Sequence, residues 1–199
     1  MDHNKIFNNI YEQSLWGYKS GNGSDPQNSM PWIKIVNNFL NQSDINSILD
    51  LGCGDWRLGQ KYEIKNKKYL GVDVSSVIIK EIQKYSKTNI SFVQKDAITM
   101  DIDYYDLILI KDVFQHLSNN SIDIILNKIM FNCKYALICN DFVKINKDIT
   151  AGEYRGINLQ NYPFKYNFEE IASWTLFKNK HKLTKIIYLY KNNKDMKRS

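Results

Sequence analysis

The sequence lacks any apolar run approaching the ~20 residues that a membrane-spanning helix needs. Its opening stretch, MDHNKIFNNI, lacks the apolar middle of a signal peptide. A soluble, cytoplasmic protein is therefore expected. Cysteine is scarce and odd in number: Cys53, Cys133 and Cys139 are not spaced like zinc ligands and sit in or beside apolar runs, which predicts reduced thiols. An internal repeat is lacking too, and with it the signature of a solenoid or propeller. A concentrated basic surface is also missing. The net charge is +6, but the lysines are dispersed, and the one dense cluster, Lys191, Lys194, Lys197 and Arg198, reads as a solvated tail. Nucleic acid is thus disfavoured as a partner without being excluded.

What is present suits one substantial core. At 199 residues and 43% hydrophobic, the chain is long enough for a single domain, as a monomer or homodimer. Ile6, Phe7, Ile10, Tyr11 and Leu15 predict a helix over residues 4 to 16, ending at Trp16-Gly17. Ser20-Gly21-Asn22-Gly23-Ser24-Asp25-Pro26 is composed of turn formers and reads as a loop, followed by a helix from about Asn28 to Leu40. From Ile45 the texture changes. INSILDLGCGD, KKYLGVDVS, ISFVQKDA, YYDLILIKD and KYALICNDF are short strand-like runs closing in Gly, Asp or Asn, with helical patterns at Ser75 to Tyr85 and Ser118 to Ile129. Such alternation predicts an α/β fold, a mostly parallel sheet covered on both faces. Beyond Phe142 an irregular segment, Val143 to Tyr166, precedes a short helix near Phe168 to Ala172. The runs Trp174 to Phe177 and Thr184 to Tyr190 then form a terminal antiparallel hairpin.

In an open parallel sheet, ligands bind beyond the carboxyl ends of the strands. The first strand ends in Asp50-Leu51-Gly52-Cys53-Gly54-Asp55, where two glycines let the backbone turn tightly against a ligand. A dinucleotide fold would place a small residue at position 57, which is Arg57, and no Gly-Lys-Ser/Thr phosphate loop occurs, so NAD and ATP are disfavoured. Asp73 closes the second strand about 20 residues after Gly52, where a carboxylate accepts hydrogen bonds from ribose hydroxyls. Asp96 closes the third strand in the same way.

ILDLGCGD, GVDVS, QKDA and YDLILIKDVFQHL resemble, in order and spacing, the motifs of the class I S-adenosylmethionine (SAM)-dependent methyltransferases over residues 45 to 142. The resemblance implies a doubly wound, Rossmann-like sheet of seven strands with the last antiparallel, and SAM as cofactor with S-adenosylhomocysteine (SAH) as product. It implies that Asp50, Gly52 and Gly54 hold the methionine end, Asp73 the ribose, and Asp96 with Ala97 the adenine. Cys53, Val74, Lys111 and Trp16 complete the implied cofactor set. The organisation that follows is N-terminal helices and Gly/Ser loop over 1–44, cofactor core over 45–142, acceptor-side lid over 143–172, hairpin over 173–191 and basic tail over 192–199. Trp16-Gly17, Gly152-Glu153-Tyr154-Arg155, Asn158-Leu159 and Pro163-Phe164 also resemble a bacterial and phage subgroup associated with surface-glycan gene clusters.

Methyl transfer is an in-line displacement at a sulfonium, so the protein supplies alignment and a dry site, plus a base when the acceptor is a hydroxyl. His116 after the fourth strand is the candidate base, with Asp112 to orient it or contact the methionine amino group. Asp112 with Asn140 and Asp141 also resembles the acidic set with which some O-methyltransferases hold a divalent metal, as an alternative to a metal-free site. Tyr154, Arg155 and Asn158 are candidate contacts for the acceptor. The expected activity is O-methylation of a small polar molecule, a sugar or glycan precursor. RNA or protein methylation, and SAM binding without catalysis, are the alternatives.

Overall fold

The computed structural model describes residues 2–178 and 181–192. The seven strands lie in one sheet in the order β3-β2-β1-β4-β5-β7-β6, with residue ranges given below. The chain divides into two compact units, Met1–Asp101 and Ile102–Ser199.

In the first unit, α1 (His3–Glu12) is started by Asp2, whose carboxylate accepts from the Lys5 amide, and it buries Phe7 and Ile10. α2 (Met30–Leu40) has Pro31 in its first turn, where the missing N–H costs nothing, and buries Trp32, Ile33, Val36 and Leu40 along one stripe. β1 (Ser47–Leu51), β2 (Lys68–Asp73) and β3 (Ile90–Gln94) pair in parallel, with Asp50 opposite Gly71 and Asp73 opposite Gln94. Gly71 is required by close packing, since a Cβ there would stand 2.7 Å from the Phe92 ring. α3 (Ser76–Ile82) follows β2, capped by the Ser75 hydroxyl, and presents Ile78, Ile79 and Ile82 to the core.

In the second unit, β4 (Tyr105–Lys111) is buried through Leu107, Ile108, Leu109 and Ile110, the continuous apolar run of a strand covered on both faces. A 3-10 turn (Phe114–His116) leads to α4 (Asn119–Phe131), capped by Ser118. His116 thus ends a short turn before the helix. β5 (Cys133–Asp141) is parallel to β4, and β7 (His181–Lys191) runs antiparallel between β5 and β6 (Glu169–Lys178). The helix expected near Phe168 to Ala172 does not form. Five residues are too few to repay helix nucleation, while pairing Glu169 with Leu189 and Glu170 with Tyr188 supplies the backbone with partners; a register shift between Glu170 and Ala172 absorbs the irregular pattern. The basic cluster beyond Asn192 lies outside the described residues. Cys53, Cys133 and Cys139 are all free thiols.

Candidate functional site

The carboxyl ends of β1, β2 and β3 gather the acidic residues of the first unit. Asp50 is buried and accepts a 2.6 Å hydrogen bond from the Tyr69 hydroxyl. Past Leu51 the chain turns through Gly52 (φ 74°) and Gly54 (φ 54°), both in the left-handed region that glycine tolerates. The Gly52 and Cys53 amides both donate to the Val72 carbonyl, which seats the turn against β2. A Cβ on Gly54 would come within 2.5 Å of the Ser20 hydroxyl. Ser20 belongs to the Gly/Ser loop and is clasped by Asp55, its amide donating to the carboxylate and its hydroxyl accepting from the Asp55 amide. Arg57, the residue that argued against a dinucleotide loop, pairs with Asp55 at 2.8 Å and donates to the Gly21 carbonyl.

Asp73 is buried at the end of β2. Its two oxygens accept from the Gly54 amide (3.0 Å) and the Ser75 amide (2.9 Å). Burial pushes its carboxyl up to about 6, against the opposing pull of those backbone donors. The Val74 amide adds to that pull, and a buried carboxylate held by neutral backbone amides is suited to a ligand that brings hydroxyls. Val74 offers its carbonyl to Asn4 and Gln94. Asp96 accepts from the Ile98 amide and pairs with His3 at 2.7 Å, with Ala97 half-buried beside it. Burial raises the Cys53 thiol well above its ordinary value, so it stays protonated. Trp16 packs on α1 through Phe7 and Tyr11, with ring centroids 6.0 and 5.7 Å away. The helix residues His3, Asn4 and Asn8 were absent from the sequence-level candidate set. Asn4 and Asn8, four residues apart, form a polar stripe beside the apolar one, whereas His3 falls on the apolar side with Phe7 and Ile10 and gave no separate signal.

The second unit holds a buried charged network at the ends of β4 and β5. Asp112 follows β4 with φ 59°, a conformation that disfavours any residue with a side chain, and its amide donates to the Cys139 carbonyl. Lys111 reaches Asp112 Oδ2 at 2.5 Å, and Lys185 reaches Asp112 Oδ1 at 2.5 Å and Asp141 Oδ1 at 3.0 Å. Lys185 was not anticipated. It is 2% exposed, and the β5–β7 register places it opposite Asp141, so cross-strand pairing delivers it to the acidic pair. Burial works to raise the Asp112 carboxyl, but the Lys111 and Lys185 ammonium groups overcome it and hold Asp112 well below the carboxylate range. Burial alone would lower the Lys185 ammonium, yet Asp112 and Asp141 drive it above its ordinary value.

Tyr154 donates its hydroxyl to Asp141 Oδ2 at 2.8 Å while the residue as a whole stays 52% exposed. The His116 ring lies 5.9 Å from the Tyr154 ring. His116 Nδ1 stands 2.9 Å from the Glu153 carbonyl. A carbonyl only accepts, so Nδ1 carries the proton and the neutral ring keeps its lone pair on Nε2, which faces the Gln115 side-chain amide at 3.5 Å. Burial is the main cause that lowers the His116 pKa below 6.5, assisted by Lys185 and opposed by the Glu153 carbonyl, Asp112 and Asp141.

Arg155 and Asn158 occupy structural positions. The Arg155 guanidinium is buried and donates to the carbonyls of Lys147, Phe114 and Leu117 and to Asn119 Oδ1, tying the irregular segment to the turn that carries His116. Asn158 exchanges hydrogen bonds with Asn146 and caps Gln160. Asn140 is 1% exposed, and neither polar atom of its side chain has a hydrogen-bond partner. Among the described residues no group of three or more His, Cys, Asp or Glu could hold a metal. Between Asp112 and Asp141 stands the Lys185 ammonium, the position a shared cation would take.

Residues 48–134 match a family model described as "Methyltransferase domain". No curated protein matches the chain in sequence. Among solved structures, the chain is similar to the N-methyltransferase NodS from Bradyrhizobium japonicum WM9 in complex with SAH. The identity is 12% and the TM-score 0.68, over 95% of this chain and 98% of that one. It is also similar to magnesium protoporphyrin IX methyltransferase (ChlM) from Synechocystis PCC 6803 with bound SAH, at 12% identity and TM-score 0.64, over 94% and 97% of the two chains. TehB from Haemophilus influenzae is matched at 18% identity and TM-score 0.59, over 83% of this chain and 61% of that one. The fold is that of the class I methyltransferases. Within it, residues 48–134 carry the methyltransferase signature in sequence as well.

Proposed function

We propose that the chain is a SAM-dependent methyltransferase, with residues 1–199 acting as one methyltransferase domain that methylates a hydroxyl of a small polar acceptor, a sugar or glycan precursor. The cofactor reading is supported by the methyltransferase match and by SAH in the NodS and ChlM structures. The first unit fits the group chemically. Asp73 is a buried carboxylate held by neutral backbone amides, a setting that suits a ribose diol, and Gly52 and Gly54 keep side chains away from the turn. Asp50, Gly52 and Gly54 are assigned to the methionine end, Asp73 to the ribose, and Asp96 with Ala97 to the adenine. When bound, SAM supplies a methyl group on a sulfonium that is already a good leaving group.

The observation that carries the choice of a hydroxyl acceptor is the His116 hydrogen bond to the Glu153 carbonyl. It fixes the tautomer with the lone pair on Nε2, and the lowered pKa keeps the ring neutral near pH 7, so His116 can take the acceptor proton as the new O–CH3 bond forms once the acceptor hydroxyl replaces the long Gln115 contact at Nε2. Lys185 and Asp112 set the charge around that ring, and the Glu153 carbonyl orients it. Tyr154 is half-exposed and offers a ring whose hydroxyl is anchored on Asp141, a firm surface for the C–H face of a sugar. Arg155 and Asn158 act on the acceptor through the backbone that they hold in place.

The reading is tested by labelled methyl transfer from SAM to a panel of free sugars, nucleotide sugars, small amines and RNA. Transfer to a hydroxyl compound that collapses in His116→Ala is the expected result. Transfer confined to amines or RNA contradicts the acceptor assignment, and SAM binding without transfer to any member of the panel favours a non-catalytic partner protein.

A further inference from the structure

α1 does more than pack an apolar stripe. Asn4 donates to the Val74 carbonyl at 2.7 Å. Asn8 accepts from the Ser75 hydroxyl at 2.7 Å and the Val77 amide at 3.3 Å, and donates to the Ser76 hydroxyl at 3.0 Å. At the first residue of the helix, next to Asn4, His3 Nδ1 stands 2.7 Å from Asp96 Oδ2, the two residues being 93 apart in sequence. An ionised Asp96 can only accept, so Nδ1 donates. The other oxygen, Asp96 Oδ1, accepts from the Ile98 amide at 2.9 Å. A carboxylate at a strand end ordinarily turns about its Cβ–Cγ bond. With one fixed donor on each oxygen the plane of Asp96 is set, and each oxygen keeps one lone pair in a defined direction.

We propose that His3 is a positioning residue for base recognition: it holds the Asp96 carboxylate so that the site selects a purine bearing an exocyclic amino group over one bearing a carbonyl at that place. The inference rests on the SAM reading above, which assigns Asp96 to the adenine. An amino group donates to the fixed lone pair. A carbonyl oxygen in its place sets lone pair against lone pair, and a carboxylate that cannot rotate away does not relieve the conflict. A site built around a hydrogen bond discriminates against the analogue that cannot make it far better than an apolar pocket discriminates by size. Asn4 and Asn8 keep the helix seated, so that the imidazole is delivered at one height above the end of β3.

The test is calorimetric titration with SAH and with S-inosylhomocysteine, in which hypoxanthine replaces adenine, on the wild type, His3→Ala and His3→Asn. The wild type is expected to prefer SAH by about tenfold or more. In His3→Ala the preference falls toward parity through lost SAH affinity, and in His3→Asn, which keeps a donor near the position of Nδ1, most of the preference returns. Thermal unfolding of each variant verifies that it is folded. Equal weakening toward both ligands in His3→Ala, the signature of a helix that only packs, overturns the inference, as does an unchanged ratio. Failure of the wild type to bind SAH removes the cofactor reading and this inference with it, whereas tight SAH binding with a ratio insensitive to His3 removes this inference alone.

Discussion

At the scale of single residues, the two units carry oppositely perturbed titrating groups. Asp73 is raised to about 6 by burial, so its proton is favoured by the folded state. The stability that this gives is present below the ordinary carboxylate value of 3.8 and is lost as pH rises through about 6. A ligand that donates hydroxyls to the carboxylate favours the ionised form, so binding should release a proton near pH 6. SAH affinity is therefore expected to rise with pH across that range, and titrations in buffers of different ionisation enthalpy should show proton release. A pH-independent affinity lost equally in Asp73→Ala and Asp73→Asn would contradict the assignment to Asp73. His116 is perturbed downward, so the acid limb of kcat/KM should fall below pH 6.5, with activity lost as the ring protonates. His116→Ala is expected to lower kcat by about 10²–10⁴ while leaving SAH affinity within about twofold. An unchanged kcat would remove the base from the account. Lys185 was invisible to sequence reading because its partner Asp112 lies 73 residues away and only strand register brings them together. Its loss in Lys185→Met leaves two buried carboxylates without their shared cation, expected to cost roughly 3–5 kcal/mol in urea unfolding. A change below 1 kcal/mol would show that the bridge contributes little.

At the scale of elements, the strands and their carboxyl ends were legible because they announce themselves locally. SILDL, KYLGVD and ISFVQ are strand-like runs closed by turn residues, and Asp50, Asp73 and Asp96 stand at or just past their ends. The stretch after Phe168 was misread because a bulged edge strand interrupts the period-two pattern that identifies strands. The irregular segment, 143–166, gave no periodicity to read, and its order comes from side chains inside it. Arg155 is the clearest case, binding four oxygens from three places in the chain. Arg155→Ala should therefore loosen the segment and release the Glu153 carbonyl from His116. The expected signs are faster proteolysis between residues 143 and 166 and a lower kcat, with SAH affinity retained. Proteolysis at the wild-type rate would contradict this role.

At the scale of the whole molecule, the family match over residues 48–134 and the neighbours' fold agree with a methyltransferase, and no helix among the described residues is long and apolar enough to cross a membrane. The excess of 27 basic over 21 acidic residues is dispersed, so heparin retention is expected to be weak at physiological salt. Strong retention with a steep salt dependence would move the acceptor toward RNA. A ligand that binds only the folded chain stabilises it by about 2.7 kcal/mol at a hundred times its Kd, which for a chain of this size raises Tm by roughly 5–10 °C. The most direct test of the central claim is calorimetric titration of the purified protein with SAM and SAH, with Asp73→Ala as the control. Micromolar binding of both that is lost in the variant is the predicted result; a folded wild type that binds neither would contradict the cofactor assignment on which the proposed chemistry depends.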